Sequence, residues 1–230
     1  MPYFVIHRKG LKLDGSTPTI LYGYGGFEIS LKPSYSATIG KLWLERGGAY
    51  AVANIRGGGE FGPRWHKAAL KTNRQRAYDD FIAVAEDLAK RGITSPKHLG
   101  ISGGSNGGLL VGAIFTQRPD LLNAVVCRVP LMDMLRYTKL LAGASWAAEY
   151  GDPEDLAMRK AILQYSPYQN IFPERKYPKV FIETSTKDDR VHPGHARKMV
   201  ARMRDQGHPV LYFENTEGGH AAGANLKQHA

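Results

Sequence analysis

A chain of 230 residues, 43% hydrophobic and 23% charged, carries enough apolar matter for one α/β domain and too little length for two, and this balance excludes a disordered protein. The net charge of +10 raises a nucleic-acid reading, but the Lys and Arg residues are scattered, the densest run (197–204) has helical spacing and no binding motif accompanies it, so a basic solvated surface and no nucleic-acid partner are expected. The lone Cys127 excludes an internal disulfide and reads as a buried core thiol; no apolar run nears the roughly 20 residues of a membrane span; and no leader pattern opens the chain, so a cytoplasmic protein without a membrane partner is expected.

The predicted elements alternate between two periodicities. Residues 3–9 and 17–26 read as strands, 34–46 as a helix stopped by Gly47-Gly48, and 49–57 as a strand running into a glycine-rich loop. Residues 74–91 place Phe81, Ile82, Val84, Ala85 and Leu88 at helical spacing, with Gly92 as a stop. A short strand at 98–103 leads directly into a helix that begins after Ser105. Further strands follow at 122–130, 177–186 and 208–216, with mixed helix and loop over 131–170 and a helix over 193–206. Strands alternating with helices predict an α/β fold, a mostly parallel sheet with helices on both faces, in one domain spanning 1–230.

Gly103-Gly104-Ser105-Asn106-Gly107 matches G-x-S-x-G, in which a serine sits on a sharp strand-to-helix turn and projects its hydroxyl from the top of the sheet. The motif follows a predicted strand and opens a predicted helix, the context that distinguishes it from an idle glycine-rich turn. A serine hydroxyl needs a base, and the base needs an acid to orient it. In α/β-hydrolases the chain order is serine, acid, histidine. Of eight histidines, His220 lies in the loop after the last predicted strand, behind Gly218 and Gly219, whereas His66 precedes the nucleophile. After the strand at 177–186 come Asp188 and Asp189, and spacing alone does not choose between them. His192 and His195 lack a third ligand candidate nearby, so no metal site is expected, and no cofactor is implied.

The blocks YGYGGF (22–27), NIRGGGEFG (54–62), GGSNGGLL (103–110), MDMLR (132–136), SWAAEYG (145–151), DDRV (188–191) and GGH (218–220) together resemble the catalytic domain of the prolyl oligopeptidases, the S9 serine peptidases. The resemblance implies an α/β-hydrolase fold with Ser105 as nucleophile, Asp188 as triad acid and His220 as base. It implies Tyr24 and the backbone N–H of Asn106 as the oxyanion donors. Trp146 resembles the platform on which a substrate proline stacks, with Phe27, Leu131, Tyr150 and Val191 as the rest of an apolar pocket, and Arg190 resembles the residue that binds a substrate carbonyl. The activity implied is cleavage after proline in small peptides.

The chain departs from that pattern in three places. The family's N-terminal β-propeller has no counterpart here, the residues after His220 read as a last helix cut short at 225–230, and GGHA replaces the commoner GHG. An open cleft would admit broader substrates, as in dipeptidyl or acylaminoacyl peptidases and esterases, and an incomplete fragment would be inactive; both stand as alternatives.

Overall fold

The computed structural model describes residues 1–221. One seven-stranded sheet runs through them, with β1 (Tyr3–Ile6), β2 (Thr19–Gly23), β3 (Ala49–Ala53), β4 (Leu99–Gly104), β5 (Ala124–Arg128), β6 (Lys179–Ser185) and β7 (Val210–Asn215) in the order β1-β3-β2-β4-β5-β6-β7. Only the edge pair β1–β3 is antiparallel; all other pairs are parallel. The segments predicted as strands all form, six of them shorter than expected, while β4 keeps its length and lies one residue later than expected. The predicted end helix at 225–230 lies outside the described residues.

Alternation of side chains decides which face is covered. Leu21, Ala51, Ala53, Leu99, Ile101, Val125, Cys127, Val180 and Ile182 form a rank at most 1% exposed. Helices α3 (Gln75–Lys90) and α4 (Asn106–Gln117) pack there, with Phe81 and Leu110 closing over Gly23. Each fully buried Leu or Phe on these faces contributes about 1.5–3 kcal/mol. α4 is buried all round, which is why its sequence is apolar rather than amphipathic. α7 (Gly194–Asp205) packs on β6 and β7.

The opposite face is covered more thinly. The helix predicted at 34–46 is shorter, with α1 (Ala37–Ile39) passing into one wide turn, Gly40–Leu44, and Trp43 donating to the Ala49 carbonyl at 2.7 Å. Along the sheet edges Phe4, Ile6, Leu211 and Phe213 remain 41–55% exposed. Two hollows of about 570 and 530 Å³ lie on this face, and neither is lined by Ser105, Asp188 or His220. A short helix α2 (Pro63–Lys67), absent from the sequence reading, starts at a proline in its first turn. The 131–170 region contains α5 (Ala147–Tyr150) and α6 (Leu156–Tyr165) among 3₁₀ turns. Among the described residues no helix is long and apolar enough to cross a membrane.

Candidate active site

Sheet topology decides where chemistry can sit. The strand order reverses between β2 and β4, so successive connections depart in opposite directions and a crevice opens at the carboxyl ends. Tyr24 follows β2 and Ser105 follows β4. Leu131 lies after β5, Asp188 after β6 and His220 after β7. Residues nearly 200 positions apart therefore meet at one sheet edge.

Ser105 turns with φ 57° and ψ −119°, a conformation that L residues seldom adopt. Its N–H donates to the Arg128 carbonyl at 2.9 Å and its carbonyl accepts from Leu109 at 3.0 Å, so both backbone groups are held. A Cβ on Gly103 would lie 2.2 Å from the Gly107 carbonyl oxygen, which explains the glycine two residues before the serine. The Ser105 side chain does not cap α4. Instead its Oγ lies 3.1 Å from Nε2 of His220.

The other ring nitrogen of His220 faces Asp188, 2.8 and 3.0 Å from its two oxygens. The Asp188 side chain is fully buried, and that burial raises its pKa. The His220 contact and the N–H groups of Arg190 and Val191 outweigh it and hold the carboxyl below the usual range. An ionised carboxylate cannot donate, so Nδ1 carries the proton and Nε2 is free to accept from Ser105. Asp189, which spacing alone left open, is exposed.

Tyr24 is half-buried. Burial raises its pKa, against the influence of the nearby Ser105 hydroxyl and the Arg190 and Arg74 charges, so the phenol stays a donor at neutral pH. Asn106 is the first residue of α4, where backbone N–H groups lack helical partners. Trp146 and Phe27 are half-buried, whereas Leu131, Tyr150 and Val191 are at most 2% exposed. Phe27 stacks edge-on against Tyr150 with centroids 5.6 Å apart. Arg190 is exposed on the loop that carries Asp188.

The sequence reading missed the scaffold behind these groups. The Asn106 side chain, 1% exposed, donates to the Tyr24 carbonyl at 2.6 Å and accepts from Arg74 at 2.6 Å and from the Tyr150 hydroxyl at 2.7 Å. Arg74 also donates to Glu149 at 2.9 Å, and His66 faces the other Glu149 oxygen at 2.7 Å. Arg74 begins a predicted helix and looks like an ordinary surface cation in sequence; only its position against Glu149, 75 residues away, distinguishes it.

Two further side chains match or extend the reading. Cys127 is fully buried; burial pushes its thiol up, and it donates to the Gly108 carbonyl at 3.2 Å. His195 is buried on α7 and accepts the N–H groups of Met132 and Asp133 through Nδ1, anchoring the loop after Leu131. Among the described residues no three His, Cys, Asp or Glu side chains converge as a metal-binding group.

Residues 33–230 match the sequence profile of the prolyl oligopeptidase family. An uncharacterized peptidase of Sinorhizobium fredii is 64% identical over 230 residues, covering 100% of this chain and 32% of the relative. The solved structure of a post-proline cleaving enzyme from Rickettsia typhi superposes with a TM-score of 0.96 at 47% identity, over 99% of this chain and 33% of that one. Prolyl oligopeptidase B from Galerina marginata, solved bound to a 35mer hydrolysis and macrocyclization substrate, superposes at 0.89 and 35% identity, over 94% of this chain and 31% of that one. The chain thus spans about a third of the length of the curated relatives it matches, and its fold is that of an α/β-hydrolase.

Proposed function

Because this chain belongs to the prolyl oligopeptidase family of S9 serine peptidases, we propose that it hydrolyses peptide bonds on the carboxyl side of proline through an acyl-enzyme on Ser105, its 230 residues serving as one catalytic domain. The observation that carries the proposal is the continuous relay from Ser105 Oγ through His220 to Asp188. His220 Nε2 takes the serine proton as Oγ attacks the scissile carbonyl, and the buried Asp188 carboxylate stabilises the imidazolium. The tetrahedral oxyanion meets the Asn106 N–H and the Tyr24 hydroxyl, donors already in place before charge develops. The C–N bond then breaks, and His220 returns the proton to the leaving amine. Water, deprotonated by the same imidazole, attacks the acyl-enzyme and frees the acid and the serine. Side chains and water handle every proton and electron pair of this cycle, and no cofactor enters it.

Proline selectivity belongs to the half-buried aromatics. Trp146 and Phe27 offer flat apolar faces to a compact pyrrolidine ring, over the floor made by Tyr150, Leu131 and Val191. Arg190 supplies a cation to the substrate carbonyl, and a small peptide is the partner. The Rickettsia typhi relative, a post-proline cleaving enzyme, supports the bond cleaved, and the Galerina marginata relative, solved with a 35mer hydrolysis and macrocyclization substrate, supports a peptide substrate.

The test is kcat/KM on a blocked peptide anilide ending in proline, with the alanine analogue and Ser105→Ala alongside. Strong proline preference that Ser105→Ala abolishes is the expected result. Equal turnover of the two substrates would remove the proline assignment and leave a broader serine hydrolase.

A further inference from the structure

The segment 24–28 carries one proposed oxyanion donor and one proposed pocket wall, and it is held in an unfavourable shape. Phe27 and Glu28 both have positive φ, 55° and 58°. Non-glycine residues persist there only where the surroundings over-determine them. The Glu28 N–H is held by the Gly57 carbonyl at 3.2 Å. The Phe27 N–H is held by a side chain instead, donating to Oε1 of Glu149 at 2.9 Å.

That carboxylate is the centre of a buried clamp. The same Oε1 accepts from Arg74 at 2.9 Å, and Oε2 faces His66 at 2.7 Å. The other arm of the Arg74 guanidinium reaches Oδ1 of Asn106 at 2.6 Å, and Asn106 in turn holds the Tyr24 carbonyl at 2.6 Å. One ion pair therefore grips the segment at both ends. Glu149, Arg74 and Asn106 are 4, 0 and 1% exposed, so water cannot take over a lost partner. Glu149 also lies three residues after Trp146, which ties the wall formed by Phe27 to the helix that follows the opposing wall.

We infer that Glu149 and Arg74 are positioning residues that set the Tyr24 hydroxyl against the oxyanion and the Phe27 ring against Trp146, so that rate and proline selectivity depend on one buried ion pair. The kinetic side of this inference rests on the peptidase reading above; the structural side rests on geometry alone.

The experiment compares Glu149→Ala, Glu149→Asp and Arg74→Met with the parent 230-residue chain. Leu88→Ala, a fully buried α3 residue outside the site, serves as a purely destabilised control. Two readouts are taken: amide hydrogen exchange at Phe27 and Glu28, and kcat per site titrated with a fluorophosphonate, on the proline and alanine anilides. For Glu149→Ala, exchange at those two amides accelerates at least about ten-fold while β4–β6 stay protected. Its kcat per titrated site falls about 100-fold and the proline-to-alanine ratio collapses. Arg74→Met follows in the same direction, and Glu149→Asp recovers part of the loss. Leu88→Ala lowers the melting temperature and leaves kcat per titrated site unchanged. Should Glu149→Ala not fold, Glu149→Gln, which keeps the shape, replaces it, with a smaller effect of the same sign expected. Unchanged exchange at Phe27 and Glu28, or an unchanged kcat per site together with an unchanged ratio, would overturn the inference. If the parent chain itself does not react with the fluorophosphonate, the peptidase reading fails, and the exchange measurement alone decides the clamp.

Discussion

Nδ1 of His220 lies 2.8 Å from one oxygen of Asp188 and 3.0 Å from the other, so the imidazole is held by both sides of a single buried carboxylate. Asp188→Asn would put an amide there that can donate to Nδ1 and favour the tautomer with Nε2 protonated. Such a ring cannot accept the Ser105 proton. We expect kcat on the proline anilide to fall about 10⁴-fold, with KM within a few-fold of the parent. A melt of the variant checks that the fold survives.

Tyr24→Phe removes one proposed oxyanion donor and leaves the ring packed. The loss belongs to the transition state, so kcat drops about 10²–10³-fold and KM changes little. An equal fall in the affinity for substrate and a constant kcat would count against this role.

Trp146→Ala opens one wall of the proposed proline pocket. We expect kcat/KM for proline at the cleaved bond to fall about ten-fold or more while the alanine substrate changes far less, because a compact ring loses a stacking partner that alanine never had. Paired kinetics on the two anilides give the ratio directly.

His195 predicts a pH dependence of stability rather than of rate. It is 1% exposed, and burial pulls its pKa from 6.5 to about 4. The folded value lies below the unfolded one, so between these limits the unfolded chain binds more protons and stability falls as pH drops. Between pH 7 and pH 4.5 the loss is on the order of 2 kcal/mol. Urea titrations at the two pH values measure it, and His195→Gln should flatten most of it. The depressed carboxyls of Asp188 and Glu214 act lower, as pH falls below the usual carboxylate values.

Gly26→Ala tests the packing behind the proposed oxyanion groups. A Cβ there would lie 2.5 Å from Nδ2 of Asn106, the atom that holds the Tyr24 carbonyl. We expect a stability loss of about 1–3 kcal/mol from overpacking, read by thermal melting, together with a lower kcat.

Much of this was legible in one dimension because it depends on local pattern. The β-branched runs and the 3.6-residue spacing of Phe81, Val84, Ala85 and Leu88 marked the strands and the long helix, since the burial that stabilises them leaves its period in the residues. The 34–46 helix was misjudged in length: Gly40 opens a wide turn that the apolar spacing does not encode. The clamp of Arg74, Glu149 and His66 left no local trace, because a buried ion pair is chosen by a partner far along the chain and each member resembles a surface charge.

The alternating α/β architecture and the glycine-flanked serine turn followed from the sequence alone, as did the succession of Ser105, Asp188 and His220 along the chain, because all are properties of short segments and their order. Spacing left Asp188 and Asp189 open and the family resemblance favoured Asp188; only the tertiary structure shows that Asp188 is buried against His220 while Asp189 faces water. It also decided which polar residues stand behind Tyr24 and Phe27. The physical reason is the same in both cases: a charge is fixed in place only where desolvation and a specific partner act on it together, and both arise from contacts between distant parts of the chain.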